Sequence, residues 1–322
     1  MSIEPVTPSR WHQYARRNAL QSLVLILFMG GFLALLGWQL WGASGLVILL
    51  LMGGTAVLFN PALSPGWVMR LYGATELRRG QLPALDQTLA WLSERAGLQQ
   101  TPVLYLIPSR VMNAFSVGVP GRSAIALSDA MLRRLTLREL AGVLAHEVSH
   151  IRNNDLWVMG LADLFSRLTS LLAFVGQCLL ILNLPLLLFG LVTIDWWLIL
   201  LLIIAPLVSA LAQLALSRTR EYAADLNAAR LTGDPEGLAQ ALAAIEREQG
   251  GWLEHVLMPG RRVPEPSLLR THPQTAARVE RLLALKPELA EQSPLPLHEL
   301  LHRVDHAQAT QRPRRRFWGT WW

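Results

Sequence analysis

The sequence predicts a mainly helical α+β protein built into a membrane, with about four transmembrane helices and a cytoplasmic domain that holds a small β-sheet. Three observations predict it. Apolar residues fill 52% of the 322 positions and charged residues only 16%, whereas a soluble domain carries about 25% charge. No Asp, Glu, Lys or Arg occurs between Arg17 and Arg70, and a second such region runs from Arg167 to Arg218, broken only by Asp195. Between the two lie short strand-like runs bounded by proline and glycine. The single cysteine, Cys178, excludes an internal disulfide framework and any multi-cysteine metal site.

A spanning helix needs about 20 apolar residues. Residues 18–69 therefore read as a transmembrane hairpin, with legs near Leu20–Trp38 and Gly45–Phe59 and a turn around Trp41–Ser44. Residues 161–217 read as a second hairpin, with legs near Leu168–Leu191 and Trp197–Leu216 and a turn at Asp195-Trp196-Trp197. Pro185 and Pro206 fall inside these legs, where neighbours re-satisfy the freed carbonyls or the leg breaks. Arginines flank the legs on one side: Arg16 and Arg17, Arg70 and Arg78, Arg152 and Arg167, Arg218 and Arg220. Neither turn carries one, so the positive-inside rule puts both termini and the middle segment in the cytoplasm. The net charge of +6 is almost all arginine, with Lys286 the lone lysine. Basic residues beside apolar segments suit an anionic lipid bilayer as partner. No reader motif for nucleic acid accompanies them.

The remaining segments are a basic N-terminus (residues 1–17), two stretches of one cytoplasmic domain (70–160 and 218–290) and an Arg/Trp-rich tail (291–322). Within the domain a helix is expected over Leu82–Leu98, with strands at Val103–Ile107, Ala114–Val119 and Ala124–Leu127. A short helix starts near Ser128. Thr136 followed by Glu139 is a capping box that opens a helix running through His146 to about Asn154. Further helices are expected at Ser217–Leu231, Pro235–Arg247 and Thr275–Leu285.

His146-Glu147-Val148-Ser149-His150 fits the zincin pattern on that helix. Residues four apart share a helical face, so both imidazoles can address one metal ion, while Glu147 points aside toward a metal-bound water. Glu221 is the candidate third ligand, with Asp225 one turn later on the same face, placed to bond a histidine's other nitrogen. The competing reading has both acids paired with Arg218 and Arg220 on a wet face.

The run from His146 to Asp155 resembles the metal-binding helix of HtpX-type membrane zinc metalloproteases, a family that also includes the CAAX prenyl endoproteases. Arg220-Glu221-Tyr222-Ala223-Ala224-Asp225 is similar to that family's third-ligand segment. Asn113-Ala114-Phe115 resembles its substrate-side strand, and Thr271-His272-Pro273 with Arg278 resembles its late His-Pro segment. The resemblance covers about residues 15–285. It implies a gluzincin-type fold and an ATP-independent endopeptidase with one Zn²⁺ per subunit, cutting membrane or misfolded proteins at the cytoplasmic face of a bacterial inner membrane. On that reading His146, His150 and Glu221 hold the ion, Glu147 is the general base and His272 the oxyanion donor, with Tyr222 an alternative donor. Asp225, Asp155 and Arg278 are expected behind them, Arg278 supporting His272 or touching substrate backbone. Peptide substrate is expected beside Asn113, Ala114 and Phe115. A prenyl-protein endopeptidase and a metal-binding membrane protein that cuts nothing are the alternatives. His298, His302 and His306, four apart, read as a solvated basic face.

Overall fold

The computed structural model describes residues 8–58, 65–119, 121–190, 195–249 and 275–285. Three of its helices are long and apolar enough to cross a membrane by length and composition, at Arg16–Thr55, Asp155–Leu186 and Trp196–Thr232.

The first belongs to α1 (Pro8–Leu58), which is two helices joined at a reversal. Backbone geometry leaves the helix at Trp41 (φ −139°) and at Gly42 (φ 58°), the latter in the left-handed region that glycine tolerates. In a straight helix Gly37 and Leu49 would stand about 18 Å apart, at 1.5 Å per residue. Instead a Cβ on Gly37 would collide with the Leu49 side chain, and one on Gly45 with the Gly37 carbonyl. The chain doubles back, and α1 supplies both legs of the first hairpin.

The other legs are α6 (Asp155–Leu188) and α7 (Trp196–Thr232). Buried Leu33, Leu36, Leu168, Leu172 and Leu201 join the three elements, as do Met29, Met159 and Leu216 one layer along. Their outer faces stay apolar and exposed, Leu27, Leu182, Ile203 and Leu207 among them, as a lipid-facing surface requires. Asp195 caps α7 by accepting from the backbone N–H of Trp197 and Leu198. Pro185 and Pro206 both lie inside continuous helix. Neither helix stops where its apolar run stops. α6 begins at Asp155 and α7 continues to Thr232, where Gly233 (φ 67°) closes it in the left-handed conformation.

The second layer is built from α2 (Pro65–Leu71), β1 (Thr75–Glu76), α3 (Pro83–Arg95), β2 (Val103–Ile107), β3 (Ala114–Val119), β4 (Arg122–Ser128), α4 (Asp129–Arg134), α5 (Leu137–Arg152), α8 (Pro235–Gln249) and α9 (Thr275–Ala284). The sheet order is β1-β2-β4-β3, with β2 and β4 parallel and the other pairs antiparallel. Among the described residues β3 pairs only with β4, leaving it at an edge. The two-residue β1 has no sequence signal of its own and exists by pairing with β2.

Helix α5 runs through the centre of this layer. Its capping box is formed: the Thr136 hydroxyl accepts from the Glu139 N–H, and the Glu139 carboxylate accepts from the Thr136 N–H at 2.7 Å. Leu140, Leu144, Val148 and Ile151 are buried among Leu89 and Leu92 of α3, Ile125 and Leu127 of β4, Leu238 of α8 and Leu282 of α9. Gly142 lets α8 come close, since a Cβ there would meet Leu238 backbone N at 2.7 Å and Cα at 2.8 Å. Arg138 ties the same two elements by pairing with Asp234 and Glu236. Gly142→Ala is expected to destabilise the protein by about 1–3 kcal/mol through overpacking. Gly31→Ala, with nothing within 4 Å of the added carbon, is expected to leave the thermal midpoint unchanged or raise it. Thermal unfolding of the two variants in detergent checks the pair.

Candidate metal centre

His146 and His150 leave α5 one turn apart, on the face that α7 crosses. Their rings meet edge to face, with centroids 4.6 Å apart. Glu221 arrives from α7, its Oε2 3.5 Å from His146 Nε2 and its Oε1 3.6 Å from His150 Nε2. One donor atom from each of the three lies within 4.8 Å of the others. All three side chains are largely buried.

What stands behind the rings decides their chemistry. His150 Nδ1 is 2.8 Å from Asp155 Oδ2, and His146 Nδ1 is 3.0 Å from Asp225 Oδ1. With each Nδ1 turned to a carboxylate, a neutral ring keeps its lone pair on Nε2. The two Nε2 atoms face each other at 3.0 Å. Two lone pairs and a carboxylate oxygen at that spacing call for a positive centre, a proton or a metal ion. Tetrahedral coordination with bonds of about 2.05 Å would place ligand atoms about 3.3 Å apart, close to the separations found. Two nitrogens and one oxygen are also a donor set that suits Zn²⁺.

Charge balance points the same way. Glu147, Asp155, Glu221 and Asp225 are all buried. Two guanidiniums oppose these four carboxylates. Arg278 of α9 binds Asp225 with two nitrogens, at 2.7 and 2.6 Å, and reaches Glu221 Oε2 at 3.1 Å. Arg220 of α7 binds Asp155 Oδ1 at 2.7 Å and donates to the Asn153 carbonyl at the end of α5 at 3.4 Å. Among the described residues, four negative groups against two positive ones leave a formal deficit that one divalent cation cancels. Protons compete for the same place. Burial disfavours charge on His146, but Asp225 and Glu221 outweigh it and push its pKa up to about 10. His150 also shifts upward, Asp155 and Glu221 prevailing over burial.

The residues singled out in the sequence fall into three groups. His146, His150, Glu221, Asp225, Asp155 and Arg278 come together as described, and Glu147 lies buried beside His146 with its charge acting on Arg278. Arg278 is engaged with Asp225 and Glu221, which puts it behind the histidines as expected; its expected contact with His272 falls outside the described residues. The competing pairing of both acids with Arg218 and Arg220 on a wet face is not what forms: both acids are buried, and Arg220 goes to Asp155 instead. Tyr222 lies under the Arg281 guanidinium, 3.8 Å from ring centroid to carbon. Just before β3, the main chain of Asn113 is bonded to Ser128 in both directions. Ala114 packs on the main core, and the Phe115 ring is buried beneath the sheet against Tyr72, with centroids 4.9 Å apart. Any contact of Phe115 with a peptide therefore runs through its backbone. His272 and the tail lie outside the described residues.

Arg220 is the residue that sequence reasoning missed. Adjacent helical residues point about 100° apart, so the neighbour of a ligand faces the next helix over, here the start of α6. Nothing in local spacing announces a pairing between Arg220 and Asp155.

A histidine pair and a glutamate converging on one point, with an acid beside the first histidine and apolar legs alongside, define a membrane-bound metallopeptidase. Residues 78–286 match the family described as Peptidase family M48, and the chain belongs to it. It is similar to a protein named Protease HtpX homolog from Acaryochloris marina (strain MBIC 11017), 35% identical over 300 residues, covering 84% of this chain and 94% of that one. A protein of the same name from Aquifex aeolicus (strain VF5) is 33% identical over 289 residues, covering 81% and 91%. A solved structure titled Crystal Structure of S. mikatae Ste24p matches with a TM-score of 0.49 at 21% identity, over 84% of this chain and 66% of that one.

Glu221→Ala is expected to lose bound metal outright, while Asp225→Asn and Asp155→Asn weaken it about 10–100-fold, the usual effect of removing an outer partner. Competition with a chromogenic chelator measures the order; an Asp225 loss exceeding that of Glu221 would exchange their roles.

Proposed function

We propose that this chain is a zinc-dependent endopeptidase that hydrolyses peptide bonds of membrane or misfolded proteins at the cytoplasmic face of a bacterial inner membrane. The observation that carries the proposal is the convergence of His146, His150 and Glu221 beside Glu147 on a helix packed against an edge strand. The relatives named Protease HtpX homolog support the same activity. The arginine flanks of the apolar legs support the orientation.

His146, His150 and Glu221 would hold the ion. Bound zinc supplies a Lewis acid that lowers the pKa of a water and polarises a carbonyl. Glu147 takes the proton of the attacking water and returns it to the leaving amine. Asp225 and Asp155 fix the ring orientations, and Arg278 and Arg220 fix those acids. His272 is the proposed hydrogen-bond donor to the developing oxyanion; it precedes α9 by a short stretch, and Arg278 of that helix already reaches Glu221. An extended peptide adds to the edge of β3 that is unpaired among the described residues and satisfies its main chain there. Register comes from that pairing and not from the side chain of Phe115.

Glu147→Gln is expected to keep its metal and to lose peptidase activity by about 10²–10⁴-fold, the usual scale for a general base. Metal analysis with cleavage of an unfolded protein such as casein measures both. A variant as active as the parent removes Glu147 from the chemistry, and a chelator that leaves the parent's activity intact removes the metal.

A further inference from the structure

Helix α2 is two-faced in a way that neither the fold nor the metal centre uses. Pro65 and Met69 are buried, Met69 completely, and Val68 and Tyr72 pack on the same cluster as Phe115, Ile107 and Ala126. The opposite face exposes Trp67 at 53% and Leu71 at 60%. These two stand one helical turn apart and so form a single apolar patch. Between them lies exposed Arg70, whose side chain can reach past an apolar body to a polar layer. No acidic residue occurs from Gly66 to Ala74.

A single exposed tryptophan on a protein surface needs no explanation. A Trp/Leu pair with an arginine, on a helix that follows a membrane leg, is different. The second leg of α1 ends at Leu58, and α2 starts at Pro65, so this patch is tethered within a few residues of the bilayer. Trp and Arg are the residues that settle at the headgroup level. On α6, exposed Trp157 lies two positions beyond Asp155, a second tryptophan at the point where a membrane leg meets the second layer.

We infer that α2 lies on the bilayer surface, with Trp67 and Leu71 in the boundary between headgroups and acyl chains and Arg70 among the lipid phosphates. The consequence is positional. Pro65 packs over Gly118 of β3, a Cβ there standing 2.9 Å from Pro65 Cγ, and Tyr72 packs on Phe115 of the same strand. α2 thus fastens the free edge of the sheet beside the membrane, where a chain emerging from the lipid would meet it. The lipid contact itself does not depend on the peptidase reading.

Spin labels report depth directly. In a Cys178→Ser background, Trp67→Cys and Leu71→Cys are labelled in the full chain and placed in nanodiscs of phosphatidylglycerol and phosphatidylcholine. Arg133→Cys on α4, where the side chain is 74% exposed, serves as the aqueous reference. Labels at 67 and 71 are expected to be several-fold more accessible to oxygen and less accessible to a water-soluble nickel chelate than the label at 133. Equal nickel accessibility at all three sites overturns the inference, because the patch then faces water. Low accessibility to both probes overturns it as well, since the patch is then covered by protein, a second copy of the chain included. Unchanged thermal midpoints confirm that the labelled variants are folded, and Trp157→Cys gives an independent second reading at the same level.

Discussion

The structure depends on one constraint: a cluster of buried like charge that is held together only by groups of the opposite sign. Four carboxylates crowd around two imidazoles, and two guanidiniums are interleaved among them. Isolated burial of any one of these ions costs several kcal/mol. The arrangement is tolerable because Asp155, Glu221 and Asp225 each have an arginine partner, and because the remaining deficit matches a divalent cation. This is also why the two rings cannot drift. His150 is held at its Nδ1 by Asp155, and Asp225 stands 3.0 Å from the Nδ1 of His146, each acid itself held by an arginine, so the Nε2 atoms face each other.

The cluster in turn explains the helices around it. Its members come from α5, the start of α6, the C-terminal end of α7, and α9. α6 and α7 are membrane legs that outrun their apolar stretches, and their polar extensions carry Asp155, Arg220, Glu221 and Asp225. A continuous helix transmits position without a hinge. The centre is therefore tied to the membrane legs through two rigid rods, while the capping box, Gly142 and Arg138 seat α5 in the second layer. Site and membrane anchor are parts of the same elements and not separate modules in sequence.

Much of this was legible in the residues. The uncharged runs located the legs, the Thr136–Glu139 box located the start of α5, and the one-turn spacing of His146 and His150 put both on one face. The strands at Val103–Ile107 and Ala114–Val119 followed from their flanking turn residues. Less legible were the ends of α6 and α7. A polar helix extension looks, residue by residue, like any solvated helix, and only its continuity with the leg shows that it shares the leg's axis. The reversal in α1 was expected from length, but the close approach of Gly37 and Gly45 was not, since contact between legs is a tertiary fact. The pairing of Arg220 with Asp155 was hidden for the same reason, and alternation alone does not say which face of β3 is covered, since Phe115 on one face and Ser116 on the other are both buried.

Three side chains sharing one ion are the centre of the molecule's chemistry, and zinc X-ray absorption on the purified full chain tests that most directly. The expected spectrum fits two imidazole nitrogens and one or two further light oxygen donors at about 2.0–2.2 Å, with no sulfur, and loses one oxygen donor in Glu221→Ala. A sulfur donor, a single imidazole, or a shell unchanged by that substitution would contradict it.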